Sequence, residues 1–216
     1  MDGERIMLGH EKKRRMLSNR HRQRGVSLIE MMIGLVIASL LLAIGVPSFS
    51  TFMQNTHIRN AAEAVQNGLS LARMEAVRRN TNVRFTLGAA SSWTVGCVTA
   101  DDANTPVTCP ATIQSRAAAE GSANAAVTLS EIVAATNALA TTPVITSEIS
   151  FNGLGKVRAL PAGNNAVFNM SNPAGGACAT AGGPMRCLRV IVSTAGQVRM
   201  CDPKLTASNP SDPQAC

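Results

Sequence analysis

The sequence predicts an α+β fold in which one long N-terminal helix, half apolar and half amphipathic, packs on a C-terminal domain of antiparallel β-sheet. Three observations predict it. Val26–Val46 is an apolar run of 21 residues with a single charge. From Pro47 to about Asn80, apolar and small residues recur at three- and four-residue steps, the period of one helical face. Beyond Asn80 the period falls to two, as in strands with one buried face.

The chain of 216 residues suffices for one domain and an anchor. Its net charge of +7 is unevenly placed. Residues 1–25 hold eight Lys/Arg against three acids, whereas the remainder holds twelve against ten. Basic residues beside a spanning segment stay cytoplasmic, so the part after the run is expected in the periplasm. All six cysteines lie on that exported side, where disulfides persist.

As a helix, residues 26–46 measure roughly 31 Å, the thickness of a bilayer's hydrocarbon core. Glu30 is the odd residue, because a charge inside a spanning helix costs on the order of 3 kcal/mol unless it has a partner. It stands five residues after Gly25, which closes the basic segment. A cut after Gly25 would leave an amine on Val26, one helical turn from that carboxylate. A secretory signal would have a shorter apolar core and a small-x-small site such as Ala43-Ile44-Gly45, and would leave Glu30 unexplained.

The segment Gly25-Val26-Ser27-Leu28-Ile29-Glu30 with its apolar run resembles the cleavage site of type IV prepilins and type II secretion pseudopilins. The resemblance implies a leader over 1–25 removed by a prepilin peptidase, N-methylation of Val26, and Glu30 neutralising a neighbouring subunit's N-terminus during assembly. It departs from the commonest pattern in having Val26, not Phe, as first mature residue. A start at Met16 would leave a ten-residue leader.

Pro47 ends the apolar run, where its missing N–H would kink a helix without necessarily ending it; pilins commonly carry a proline at this mature position. The amphipathic half, 47–80, is expected to bury Phe49, Phe52, Met53, Thr56, Ala61, Ala64, Val65, Gly68, Leu69, Ala72 and Ala76. Within it, Leu71-Ala72-Arg73-Met74-Glu75-Ala76 resembles the helix of minor pilins and pseudopilins of the FimT/GspH family.

The β-rich domain is expected over 81–216. Val83, Phe85 and Leu87, then Trp93, Val95 and Cys97, predict two strands around Gly88-Ala89-Ala90-Ser91. Residues 99–126 read as a variable loop tied by Cys97 and Cys109, with Asp101 and Asp102 solvated. Val127–Val133, Ser147–Phe151, Asn165–Met170 and Arg186–Ser193 read as further strands. Ala134–Thr142 is unassigned, Ser171–Pro184 is a loop, and Phe151-Asn152-Gly153-Leu154-Gly155 resembles the family's Phe-x-x-x-Gly turn.

Cys187–Cys201 reads as a hairpin closing around Thr194, with Leu188, Val190, Val192, Val198 and Met200 on the buried face. That register sets Arg189 opposite Arg199 and Cys187 opposite Cys201. Like charges so placed destabilise a strand pair, which points to a bound anion such as phosphate. DNA-binding members of the family carry a C-terminal Gly-Arg-x-Arg. Here Gly196-Gln197-Val198-Arg199 keeps the glycine and the second arginine, so Arg189, Arg199 and Lys204 are the candidate DNA contacts. Their alternative is a solvated basic surface. With no tyrosine and one tryptophan to stack on bases, such binding would be phosphate-led and salt-sensitive.

Six cysteines allow 15 pairings. Short loops favour Cys97–Cys109, Cys178–Cys187 and Cys201–Cys216; the hairpin register favours Cys187–Cys201 with Cys178–Cys216. No Cys-x-x-Cys occurs and His57 is the sole exported histidine, so no metal site is expected. No catalytic set or phosphate loop is present, so neither enzyme activity nor a cofactor is expected. The function read from the sequence is a minor pilin that primes or tips a type IV pilus. Its expected partners are the prepilin peptidase, other pilins and an inner-membrane assembly platform. The alternatives are a type II secretion pseudopilin and a DNA-binding minor pilin of natural transformation.

Overall fold

The structure is a computed structural model that describes residues 25–103, 106, 108–145, 147–209 and 211–216. The expected leader lies outside these except for Gly25. The chain divides into two compact units, 1–43 and 44–216.

Helix α1 spans Leu28–Arg79 and is assigned without a break through Pro47. Its first N–H partners form at Ser27, whose carbonyl accepts from Met31 N at 3.1 Å. It stops at Asn80, which has φ +49. There Thr81 N donates to Ala76 O and Asn80 N to Val77 O, the paired bonds of a Schellman cap with asparagine in the left-handed position. In the first unit the helix is exposed on every side.

The second unit adds eight strands: β1 (Val83–Leu87), β2 (Trp93–Cys97), β3 (Gln114–Arg116), β4 (Ala126–Val133), β5 (Glu148–Phe151), β6 (Asn164–Ser171), β7 (Leu188–Ser193) and β8 (Val198–Cys201), then a short helix α2 (Pro203–Ser208). They form two four-stranded sheets, ordered β3-β2-β1-β5 and β4-β6-β7-β8, with every pairing antiparallel. The β1–β2 hairpin pairs Val83 with Cys97 and Leu87 with Trp93, as the alternation predicts. The stretch 99–126 is not all loop, because β3 inside it pairs with β2.

The two sheets and α1 enclose one core. Ile58, Ala61, Ala62, Val65, Leu69, Ala72 and Ala76 are the buried helix stripe. The expected start of that stripe is wrong: Phe49 and Phe52 are each 65% exposed, because the β-domain covers the helix only from about Gln54, where Asn172 Nδ2 donates to its Oε1 at 2.6 Å. Small side chains set the depth of contact. A Cβ on Gly68 would lie 2.7 Å from Phe85 Cε2 and 3.0 Å from Trp93 Cε2. Phe85 in turn meets Phe168 of the second sheet edge-on, with ring centroids 5.6 Å apart.

Arg73, from the Leu-Ala-Arg-x-Glu-Ala segment, joins the helix to two turns. Its Nε donates to Gly155 O at 3.2 Å. That carbonyl lies 1.9 Å from where a Cβ on Gly196 would stand, and Gly196 has φ +81. Only glycine meets both conditions. The family-like glycines at 155 and 196 are therefore partners in one packing contact.

Glu75, next along the helix, accepts from Arg78 Nη2 at 2.6 Å and Arg79 Nε at 2.7 Å, and Arg79 Nη1 donates to Thr108 O. The helix end is thereby tied to the loop closed by Cys97–Cys109. The hydrogen bond from Arg78 holds the Glu75 carboxyl below its usual range, against the opposing effect of burial, and Glu75 raises Arg78 in return.

The segment after β4 is held by Glu131, which is buried and accepts from Val144 N at 2.8 Å and Asn164 Nδ2 at 2.6 Å. Residues 134–142 are held by main-chain bonds, Ala134 N to Gly163 O, Asn137 N to Val133 O and Ala140 N to Glu131 O, and by the Ile132–Leu139 bridge.

Two outcomes are expected. Gly196→Ala should lower stability by roughly 1–3 kcal/mol, from left-handed strain and the clash with Gly155 O, read as a lower midpoint in thermal or urea melts. Glu75→Gln should destabilise at neutral pH. A depressed folded-state pKa stabilises above the unfolded carboxylate value of about 4.3 and is lost as pH falls through the lower folded value. The difference in Tm between wild type and Glu75→Gln should therefore shrink as pH drops below about 4.

Candidate functional site

Two regions carry the residues singled out by the sequence. In the first unit, Gly25, Val26 and Ser27 carry no regular structure and are exposed immediately before α1, with Val26 67% exposed. Glu30 occupies the first helical turn, where the positive end of the helix dipole favours a carboxylate. Among the described residues it has no cation within ion-pair distance. Ser27 and Glu30 also stand at capping-box spacing, a local signal for a helix start at this point. The apolar residues that follow, such as Leu35, Leu41 and Ile44, are 68%, 67% and 76% exposed. The helix has a window of mean hydropathy 2.4 and is long and apolar enough to cross a membrane.

In the second unit the β7–β8 hairpin corrects the expected register. Arg189 pairs with Cys201, Val190 with Met200, Ile191 with Arg199 and Val192 with Val198. The loop closes on Thr194-Ala195-Gly196, with Gly196 N donating to Ser193 O at 2.8 Å and Ser193 N to Gln197 O at 3.0 Å. The expected register is off by two residues. A two-residue slip keeps every side chain on its face, so Val190 and Val192 are still buried and Leu188, Val198 and Met200 still pack on the core. It does move the two arginines from directly opposite to diagonal positions on that face. Arg189 and Arg199 are not opposite each other, nor are Cys187 and Cys201.

Each arginine has its own partner. Arg189 Nε donates to Asn169 Oδ1 at 2.8 Å, and Asn169 Nδ2 to Ser130 Oγ at 2.8 Å, making a polar row across three strands. Arg199 donates to Ala215 O at 3.2 Å and Cys216 O at 3.0 Å, which holds the tail. Lys204 lies in the first turn of α2, where its N–H caps on Asp202 Oδ1 at 2.8 Å. Arg189 and Arg199 stay on one face of the sheet, each with its own partner, and the directly opposed pair that pointed to phosphate does not form.

The disulfides are Cys97–Cys109, Cys178–Cys187 and Cys201–Cys216, the three short loops. The last folds the tail over Ile132, Val167 and Ile191, a small second cluster on the outer face of the β4-β6-β7-β8 sheet. Asp202, not foreseen in the sequence, accepts from Arg186 Nε at 2.5 Å while capping α2. An aspartate directly before a proline is the signal that would have found it. Beside it lies a groove of about 460 Å³ lined by Phe52, Arg59, Leu188 and Met200.

Residues 61–196 match the family described as type II transport protein GspH, and residues 20–46 match the prokaryotic N-terminal methylation motif. The chain belongs to the GspH family. It is accordingly a structural protein of the minor pilin and pseudopilin type, and not an enzyme. No curated protein sequence matches it. Two crystal structures of the type IV minor pilin FimU from Pseudomonas aeruginosa strain PAO1 are similar to it at 15% identity each. One covers 69% of this chain and 91% of FimU with a TM-score of 0.43. The other covers 66% and 90% with a TM-score of 0.40. The GspH match ends at Gly196, so the glycine that seats on Gly155 lies inside it, whereas Arg199 and the tail lie beyond.

Arg199→Ala should free the tail without unfolding the sheet. Hydrogen exchange at 214–216 should rise while β6 and β7 keep their protection.

Proposed function

We propose that the chain is a minor subunit of a filament of the type IV pilus class. It is inserted in the inner membrane with its N-terminus cytoplasmic and the 81–216 domain periplasmic, and it is cut between Gly25 and Val26 by a prepilin peptidase. N-methylation of Val26 and export into the filament follow, with residues 26–46 leaving lipid for a protein-lined core. The observation that carries this reading is the placement of Glu30. It is a lone carboxylate in the first turn of an apolar helix, five residues past the Gly25 site, within the stretch that matches the methylation motif.

The chemistry is charge neutralisation. Val26, once first in the chain, carries an amine that is costly to bury alone, and Glu30 is equally costly; pairing them between subunits offsets both penalties. Pro47 remains the expected point of bending. The subunit would prime or tip the filament, in contact with other pilins and an assembly platform.

A type II secretion pseudopilus is the second reading, favoured by the description of the matched family. Deleting the gene separates the two: loss of surface pili supports the first and loss of exoprotein secretion the second.

Mass spectrometry of the mature protein should show a chain that begins at methylated Val26. Glu30→Ala should leave cleavage and membrane insertion intact and reduce the filament-borne fraction by about tenfold or more. A mature chain starting elsewhere, or normal filaments from Glu30→Ala, overturns the reading.

A further inference from the structure

We propose that Met74, Val77 and Leu154 form a docking face for a neighbouring filament subunit that presents an apolar side chain beside carboxylates. The inference rests on the filament-subunit reading and adds to it a surface and the chemistry of its partner.

The face combines two elements. Met74 and Val77 stand one turn apart on α1 and are 61% and 51% exposed. The turn after β5 lies against the same stretch of helix: a Cβ on Gly155 would be 3.2 Å from Val77 Cγ2, and one on Gly153 would be 3.1 Å from the Asn80 backbone. Leu154, between those glycines, is 78% exposed. Isolated exposed apolar residues are ordinary on a protein surface. Three brought together by a helix and a turn are a patch.

The turn that carries Leu154 is braced by hydrogen bonds. Asn152 Oδ1 accepts from Leu154 N and Lys156 N, each at 3.0 Å, and Arg73 Nε binds Gly155 O. Leu154 is held out to solvent by a braced turn, so little main-chain ordering is left to oppose binding.

Charge names the partner. Arg73 and Lys156 flank Leu154, and among the described residues neither has a carboxylate within 4 Å. Arg78, one position past Val77, shares Glu75 with Arg79. Arg73, Lys156 and Arg78 thus stand beside these apolar residues, and among the described residues Arg78 is the one of the three with a carboxylate, Glu75, within 4 Å. Such a rim repels a basic surface and favours an acidic one, while the apolar centre supplies the contact that excludes water.

The test uses the full-length chain in its own host, with the chromosomal gene deleted and replaced by wild type, Leu154→Asp, Lys156→Glu or, as control, Leu139→Asp, whose side chain is 71% exposed on another loop. The amount of each protein in the sheared filament fraction is measured against its amount in the membrane, and the mature mass is recorded for each. Leu154→Asp and Lys156→Glu should each enter filaments at least about fivefold less than wild type, with normal processing and membrane levels, and Leu139→Asp should match wild type. Variants that enter at the wild-type level, or a control that falls equally, overturn the docking face alone. Wild type absent from the filament fraction overturns the filament-subunit reading itself.

Discussion

The close approach of α1 to the sheets is the constraint on which the second unit depends. Ala61, Ala62, Ala72, Ala76 and Gly68 bring the helix backbone near enough for Phe85 and Trp93 to lie across it. Phe85 then reaches Phe168 in the other sheet, and one cluster spans helix and both sheets. The domain is poor in aromatic residues, so the few it has are placed where each touches more than one element. A larger side chain on the helix face would part the layers and leave gaps around these rings.

Polar side chains complete what that core leaves open, and each does so from a position set by the helix or a strand. Arg73 reaches from the helix to the Gly155 turn and so to the Gly196 turn. Glu75 with Arg79 fastens the helix end to the loop tied by Cys97. Glu131 orders the segment after β4, and Asp202 starts α2 while holding Arg186. These are charge-assisted bonds at the rim of the core, where loops of Ala, Thr and Gly have little apolar area of their own to bury. The three disulfides act in the same places, each across a short loop, and would persist in the oxidising compartment where this domain is proposed to lie.

The first unit shows the opposite balance. Its helix leaves nearly all its apolar surface uncovered, an arrangement stable in lipid or among like helices and unfavourable in water. Glu30, the one carboxylate in the part of the helix within residues 28–43, stands beside the site where a new amine is expected. In the proposed function, anchoring and assembly would use the same residues in two surroundings, and the proposed docking face at Met74, Val77 and Leu154 would be part of what neighbours recognise.

Much of this was legible in the residues alone. The span, the Gly25/Glu30 spacing, the helix end near Asn80, the β1–β2 hairpin and the strands at 126–133, 164–171 and 188–193 follow from local periodicity and turn chemistry, which act over a few neighbours. The buried face of the last hairpin was legible too, because a two-residue slip conserves it. The register was not: Gly196 takes the left-handed position in a three-residue loop where it also seats on Gly155, a residue forty-one positions away in the chain, and this moves Arg189 and Arg199 out of direct opposition. Nor could periodicity show that Phe49 and Phe52 stay uncovered, that β3 pairs within a loop-like stretch, or that Glu131 and Asp202 are buried with partners. The sequence by itself determined where the chain is apolar, where it turns and which cysteines are near in the chain. The tertiary structure decided which faces are covered and which distant polar groups meet, because those depend on packing between segments that local preference does not reach.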